Sequence, residues 1–187
     1  VPITGTVVPS IGSGTLQYVG SFATAPNGDP ILPMFRSGGG SSDITAFPDN
    51  AGLDQSPFPT QGTGDRTSGL EVAVSTVGRS NIVVSFDQRH SNRAAKHVQF
   101  QYSTDGVNFT SAGLTDQPAT GANGLFTATA GDVWFNARTV DLSSIPAVNN
   151  NPNFKWRVVA AFAPATSVYQ TSGGATWDSN GRYRYDN

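Results

Sequence analysis

Two stretches of apolar–polar alternation, residues 81–90 and 96–103, constrain this chain more than anything else in it. Ile82, Val84 and Phe86 alternate with Val83, Ser85 and Asp87, while Val98, Phe100 and Tyr102 alternate with His97, Gln99 and Gln101. A period of two is the mark of a strand with one face buried and the other in water. A polar tip at residues 91–95 joins the two runs. The spacing therefore predicts one long antiparallel hairpin within residues 69–109, opened by the β-prone run Gly69-Leu70-Glu71-Val72-Ala73-Val74-Ser75. Asp105-Gly106 supplies the positive-φ residue of a tight closing turn, after which Phe109 returns to the apolar face.

Composition agrees with strands and turns. Only 13% of the 187 residues are charged, against a usual ~25%, and Glu71 is the sole glutamate beside two lysines, Lys96 and Lys155. Surface helices of the Glu/Lys type are thereby nearly excluded. The 21 glycines and 12 prolines suit a sheet structure with many turns, and the length suits one β domain spanning residues 1–187. A net charge of −2 with no basic stripe argues against nucleic acid as a partner. No apolar run approaches the ~20 residues needed to span a bilayer. Without cysteine the chain has no disulfide and no thiolate metal site. It shows no initiator methionine, signal peptide or lipidation motif, and reads as a mature or excised segment. A Ser/Thr/Asn/Gly-rich, lysine-poor chain of this kind points to a bacterial secreted protein, extracellular or on the cell surface.

Further strands are expected at residues 3–8, 15–22, 31–36, 125–127, 132–142, 154–162 and 181–185. Pro30 and Pro33 would make the third of these an edge. Residues 23–30 form a turn around Asn27-Gly28, and residues 37–65, 111–124, 143–152 and 164–180 read as loops. Ile44, Phe47, Leu53 and Phe58 anchor the first of those loops. Trp156 shares a strand face with Phe154, Val158, Ala160 and Phe162, and so reads as core. Tyr183 and Tyr185 oppose Arg182 and Arg184. The sum is an all-β fold, a two-sheet antiparallel β-sandwich of jelly-roll type with long loops.

Three runs carry a resemblance. They are residues 85–109, which include Gln101-Tyr102-Ser103-Thr104-Asp105-Gly106-Val107-Asn108-Phe109; residues 138–146, Arg-Thr-Val-Asp-Leu-Ser-Ser-Ile-Pro; and residues 151–162, Asn-Pro-Asn-Phe-Lys-Trp-Arg-Val-Val-Ala-Ala-Phe. With the closing Tyr183-Arg184-Tyr185-Asp186-Asn187, they resemble a bacterial galactose-binding-like jelly-roll module found beside secreted nucleases, lamin-tail-like domains and cell-surface sorting signals. The resemblance covers residues 69–187. It implies a carbohydrate-binding-module-like jelly roll, often with a structural calcium (Ca2+), for which Asp186 matches the terminal-strand aspartate. In similar modules the last strand usually runs on past the position of Asn187. The plainer reading is that the segment is simply cut there; the sharper one is an open edge filled by self-association with a neighbouring subunit.

Catalysis has little to work with. Ser85, Asp87, Ser91, His90 and His97 permit a Ser-His-Asp set on paper, yet they read as a surface polar cluster. No Gly-x-Ser-x-Gly elbow, His-Glu-x-x-His or Walker loop is present. A sugar site needs an aromatic face for the C–H side of a pyranose and planar amide or guanidinium groups for its hydroxyls. Trp134, Asn136 and Arg138 alternate onto one strand face, and Arg89, Gln99 and Gln101 occupy the wet face of the expected hairpin. The competing reading makes Trp134 core and the rest a solvated face. Trp177, beside Asp178, is the second candidate, as a platform or as a lid over the core. Oxygen ligands for calcium are available at Asp43, Asp49 and Asp54 and at Asp186. The expected function is a non-catalytic module binding carbohydrate or another cell-surface polymer. The alternative is a structural or assembly domain of a surface layer, adhesin or extracellular filament. An exposed Trp134 or Trp177 beside polar planar groups favours the first, and a flat apolar sheet edge at residues 183–185 favours the second.

Overall fold

Ten strands form two five-stranded antiparallel sheets in the computed structural model, which describes residues 13–20, 36–37, 51–114 and 124–186. One sheet runs in the order β1 (Thr15–Val19), β4 (Gly69–Ala73), β9 (Lys155–Ala161), β6 (His97–Ser103) and β7 (Leu125–Thr127). The other runs β2 (Arg36–Ser37), β3 (Ala51–Gln55), β10 (Tyr183–Asp186), β5 (Val83–His90) and β8 (Val133–Asp141). The described helical structure is a single 3-10 turn at Pro146–Val148. Among the described residues, no helix is long and apolar enough to cross a membrane.

The alternating faces fall where the sequence puts them. Val84, Phe86, Val98, Phe100 and Tyr102 are buried in the core between the sheets, with Val158 and Ala160 from β9 and Phe154 just before it. Trp156 stacks on Phe100 and Phe86, at ring-centroid distances of 5.8 Å and 6.0 Å. Leu53 and Phe58 are buried as expected of loop anchors, but Leu53 lies in β3, a strand inside a stretch expected to be loop. The expected strand at residues 3–8, most of that at 31–36, and Ile44, Phe47, Asp43 and Asp49 lie outside the described residues.

The central hairpin does not form. β5 and β6 belong to different sheets, and β4 pairs with β1 and β9 rather than with β5. Residues 91–96 carry the chain from one sheet to the other. Their backbone is satisfied far from any hairpin partner, Ser91 N donating to Arg182 O at 2.9 Å and Lys96 N to Gln170 O at 2.8 Å. The closing Asp-Gly turn does form. Gly106 has φ of 79°, and Asp105 Oδ1 accepts from the amides of Val107 and Asn108. Phe109 then lies beneath the Arg157 guanidinium, 4.1 Å from its ring centroid, rather than in the inter-sheet core.

Neither outer face is simply wet. On β6, His97 and Gln99 are buried, Gln99 lying between Leu125 and Val159 of its neighbours. β10 occupies an interior position between β3 and β5, with Tyr183 and Tyr185 buried. The final strand is therefore not an open edge waiting for a subunit.

Candidate functional site

A β-bulge decides where the expected site residues point. Phe86 pairs with Arg138 and Gln88 with Phe135, so Asn136 and Ala137 together oppose the single residue Asp87. Ala137 adopts φ of 52°, and its amide donates to Asp87 Oδ1 at 2.7 Å. An inserted residue of this kind shifts the alternation by one. Phe135 and Arg138, three residues apart, consequently share the inner face, while Trp134 and Asn136 lie outside. The expected grouping of Trp134, Asn136 and Arg138 is thus broken.

The grouping of Arg89 with Gln99 and Gln101 is broken as well, because the three sit on different sheets. Gln101 accepts from Arg157 Nε at 2.7 Å, and Gln99 donates to the Phe100 carbonyl. Arg89 is instead the cross-strand partner of Trp134 and donates to Asp132 at 3.0 Å. Trp134 is half-buried on the outward face and is not a core residue.

Arg138 enters a polar cluster enclosed between the sheets. Its Nη1 donates to Gln88 Oε1 and lies 3.2 Å from His90 Nε2. His90 Nδ1 lies 2.9 Å from the Ala95 carbonyl, which can only accept, so Nδ1 carries the proton and Nε2 receives the arginine. Burial, and then the neighbouring arginine charge, push the His90 pKa well below the ordinary histidine value. Burial likewise pulls the Arg138 pKa down to about 10. The guanidinium sits 4.6 Å from the Phe135 ring and 5.1 Å from that of Phe126. Among the described residues it forms no ion pair. It opens on a cleft of about 670 Å³ between edge strands β7 and β8, lined also by Thr127, Thr129, Asn136, Thr139 and Asp141.

The second cleft, about 600 Å³, contains Trp177. The indole stacks on Tyr169 at 4.4 Å with 12° between the planes, and Tyr169 meets Phe162 edge-on at 4.6 Å. The tryptophan is therefore half lid and half wall. Arg93, 63% exposed in its side chain, pairs with Asp178 at 2.7 Å on the same wall. Hydrogen bonds from the Asn180 backbone first, and then from Arg93, hold the Asp178 carboxyl below its usual range. Thr60, Thr176 and Ser179 supply further polar groups. Gln61 also lines this cleft, but its amide is committed to the Tyr169 backbone, donating at 2.9 Å and accepting at 2.7 Å.

The carboxylates named for calcium divide. Asp54 faces Arg182 at 2.8 Å and Arg184 at 3.8 Å, so its charge is opposed by two cations. Asp186 lies opposite Asp87 on neighbouring strands. Among the described residues, no group of three or more His, Cys, Asp or Glu gathers. The paper triad is not assembled either: Asp87 points outward to Ala137, whereas His90 points inward to Arg138, Ala95 and Ser172.

Arg93, Phe126 and Phe135 are site residues that pattern reading misses. Arg93 belongs to a five-residue tip, and the bulge that turns Phe135 inward is centred on an alanine with no turn signal. No protein family, curated protein or solved structure matches the chain.

Proposed function

We propose that this all-β sandwich is a non-catalytic binding module for carbohydrate or another cell-surface polymer, with its platform at Trp177. The observation that carries the reading is an indole held rigid by stacking on Tyr169, in one cleft with the Arg93–Asp178 pair. Stacking suits the C–H face of a sugar ring, and a guanidinium and carboxylate side by side suit vicinal hydroxyls. The resemblance to secreted galactose-binding-like modules points the same way, as does the partial exposure of both Trp134 and Trp177. The assembly alternative loses its particular support, since the strand with Tyr183 and Tyr185 is interior.

The test is tryptophan fluorescence titrated with a panel of polysaccharides, with and without calcium. One glycan should give a saturable change that Trp177→Ala abolishes and Arg93→Ala weakens about tenfold, the loss of one charged hydrogen-bonding group. If no glycan shifts the emission while the protein melts cooperatively, the reading fails. A calcium-dependent rise in melting temperature that Asp186→Ala abolishes would support a structural calcium held by Asp186.

A further inference from the structure

We propose that the cleft between β7 and β8 is a second binding site, which takes the carboxylate of an acidic sugar on Arg138. A buried cation without an acidic partner costs stability, because desolvation is not repaid by a nearby charge. Arg138 is only 7% exposed, and among the described residues no carboxylate pairs with it. Its hydrogen bonds to Gln88 and His90 both use Nη1, which among the described residues leaves Nε and Nη2 as an unused planar fork. Such a fork matches the two oxygens of a carboxylate.

The surroundings fix the fork in place. His90 receives Nη1 from behind, and Phe126 and Phe135 flank the guanidinium within cation–π range. Apolar walls of this kind lower the local dielectric and strengthen attraction to an anion. Thr127, Thr129, Asn136 and Thr139 add hydroxyl and amide groups to the lining, the kind of groups that pair with sugar hydroxyls. Asp141, three residues along β8, lines the same cleft with its carboxylate held ionised by the Ser143 amide. It repels a second negative group at that end. The combination describes a ligand with one carboxylate and several hydroxyls, which is the chemistry of a uronic acid residue. The volume of about 670 Å³ lies in the range of small-ligand sites.

Calorimetric titration with an oligogalacturonate, its neutral galactose counterpart and a sulfated oligomer of equal length tests the assignment. The uronate should bind, and the other two should bind at least about tenfold more weakly. Arg138→Met should lose the uronate by a similar factor, and Trp177→Ala should retain it. Thr129→Trp plugs the cleft from an exposed position and should have the same effect as Arg138→Met, even if that variant folds poorly. Absence of uronate binding by the wild type, or unchanged binding in Thr129→Trp, overturns the proposal. Equal affinity for the sulfated oligomer overturns the carboxylate assignment. Loss in Trp177→Ala with retention in Thr129→Trp overturns this inference and leaves the Trp177 reading standing.

Discussion

An imidazole with no exposed surface is a group that titrates only in the unfolded chain near neutral pH. His90 is enclosed by Arg138 and Gln88 on one side, Ala95 and Ser172 on the other, and the rings of Phe135 and Tyr183. Protonating it would place a second cation against Arg138. Burial also lowers the His97 pKa. A base whose folded pKa is depressed takes up its proton in the unfolded state first, so stability falls as pH drops below the unfolded value of ~6.5. The slope approaches about 1.4 kcal/mol per pH unit for each histidine that remains neutral when folded. Chemical denaturation between pH 7.5 and 5 should show this loss, and His90→Gln should flatten it. The carboxylates of Asp105, Asp141 and Asp178, held below their usual range by backbone amides, act in a separate window below ~4. A flat profile between pH 7.5 and 5 would mean that His90 is solvated or paired with an acid.

At the scale of the strand, alternation locates elements well and their partners poorly. β5, β6, β9 and β10 lie where period two places them, because one inner face must be apolar in either sheet of a sandwich. Which sheet a strand joins leaves no trace in that pattern, since Phe86 and Phe100 meet the same core from opposite sides. Residues 91–95 look like a hairpin tip for the same reason. The bulge at Ala137 leaves no signal in the sequence either, so alternation alone puts Arg138 on the wrong face. Trp177 was legible as a loop aromatic, but Arg93 was not, as only folding brings it to Asp178. Glycine at position 69 shows how tightly the elements close. A Cβ there would stand 1.9 Å from the Val158 carbonyl oxygen and 2.7 Å from the Val159 Cα, both backbone atoms that cannot swing aside. Gly69→Ala should therefore cost at least ~2 kcal/mol by forcing β4 away from β9. Urea unfolding checks it, and a loss below ~0.5 kcal/mol would show that the two strands are farther apart.

At the scale of the whole molecule, the chain changes sheet at almost every step, and its last strand is inserted in the middle of one of them. β10 receives β3 on one side and β5 on the other. Tyr183 has no exposed surface, touches Phe58 and His90 at 4.7 Å each, and donates its hydroxyl to the Ala95 carbonyl at 2.8 Å. Tyr185 donates to Gln55 at 3.1 Å, and Gln55 in turn donates to Ser68 at 2.9 Å. Burying two large aromatic side chains contributes roughly 3–6 kcal/mol, to be set against a total stability of about 5–15 kcal/mol for a domain. Removing them also exposes the ladder groups of β3 and β5 and opens the floor beneath Arg138. A chain ending at Gly181 should therefore lose cooperative thermal unfolding, with near-ultraviolet dichroism collapsed. Tyr183→Phe, which keeps the ring and removes one buried hydrogen bond, should melt cooperatively at about 1 kcal/mol lower stability. If the shortened chain still melted in one sharp transition, β3 and β5 would have to close on each other directly. The interior place of β10, and the case against an open terminal edge, would then be wrong.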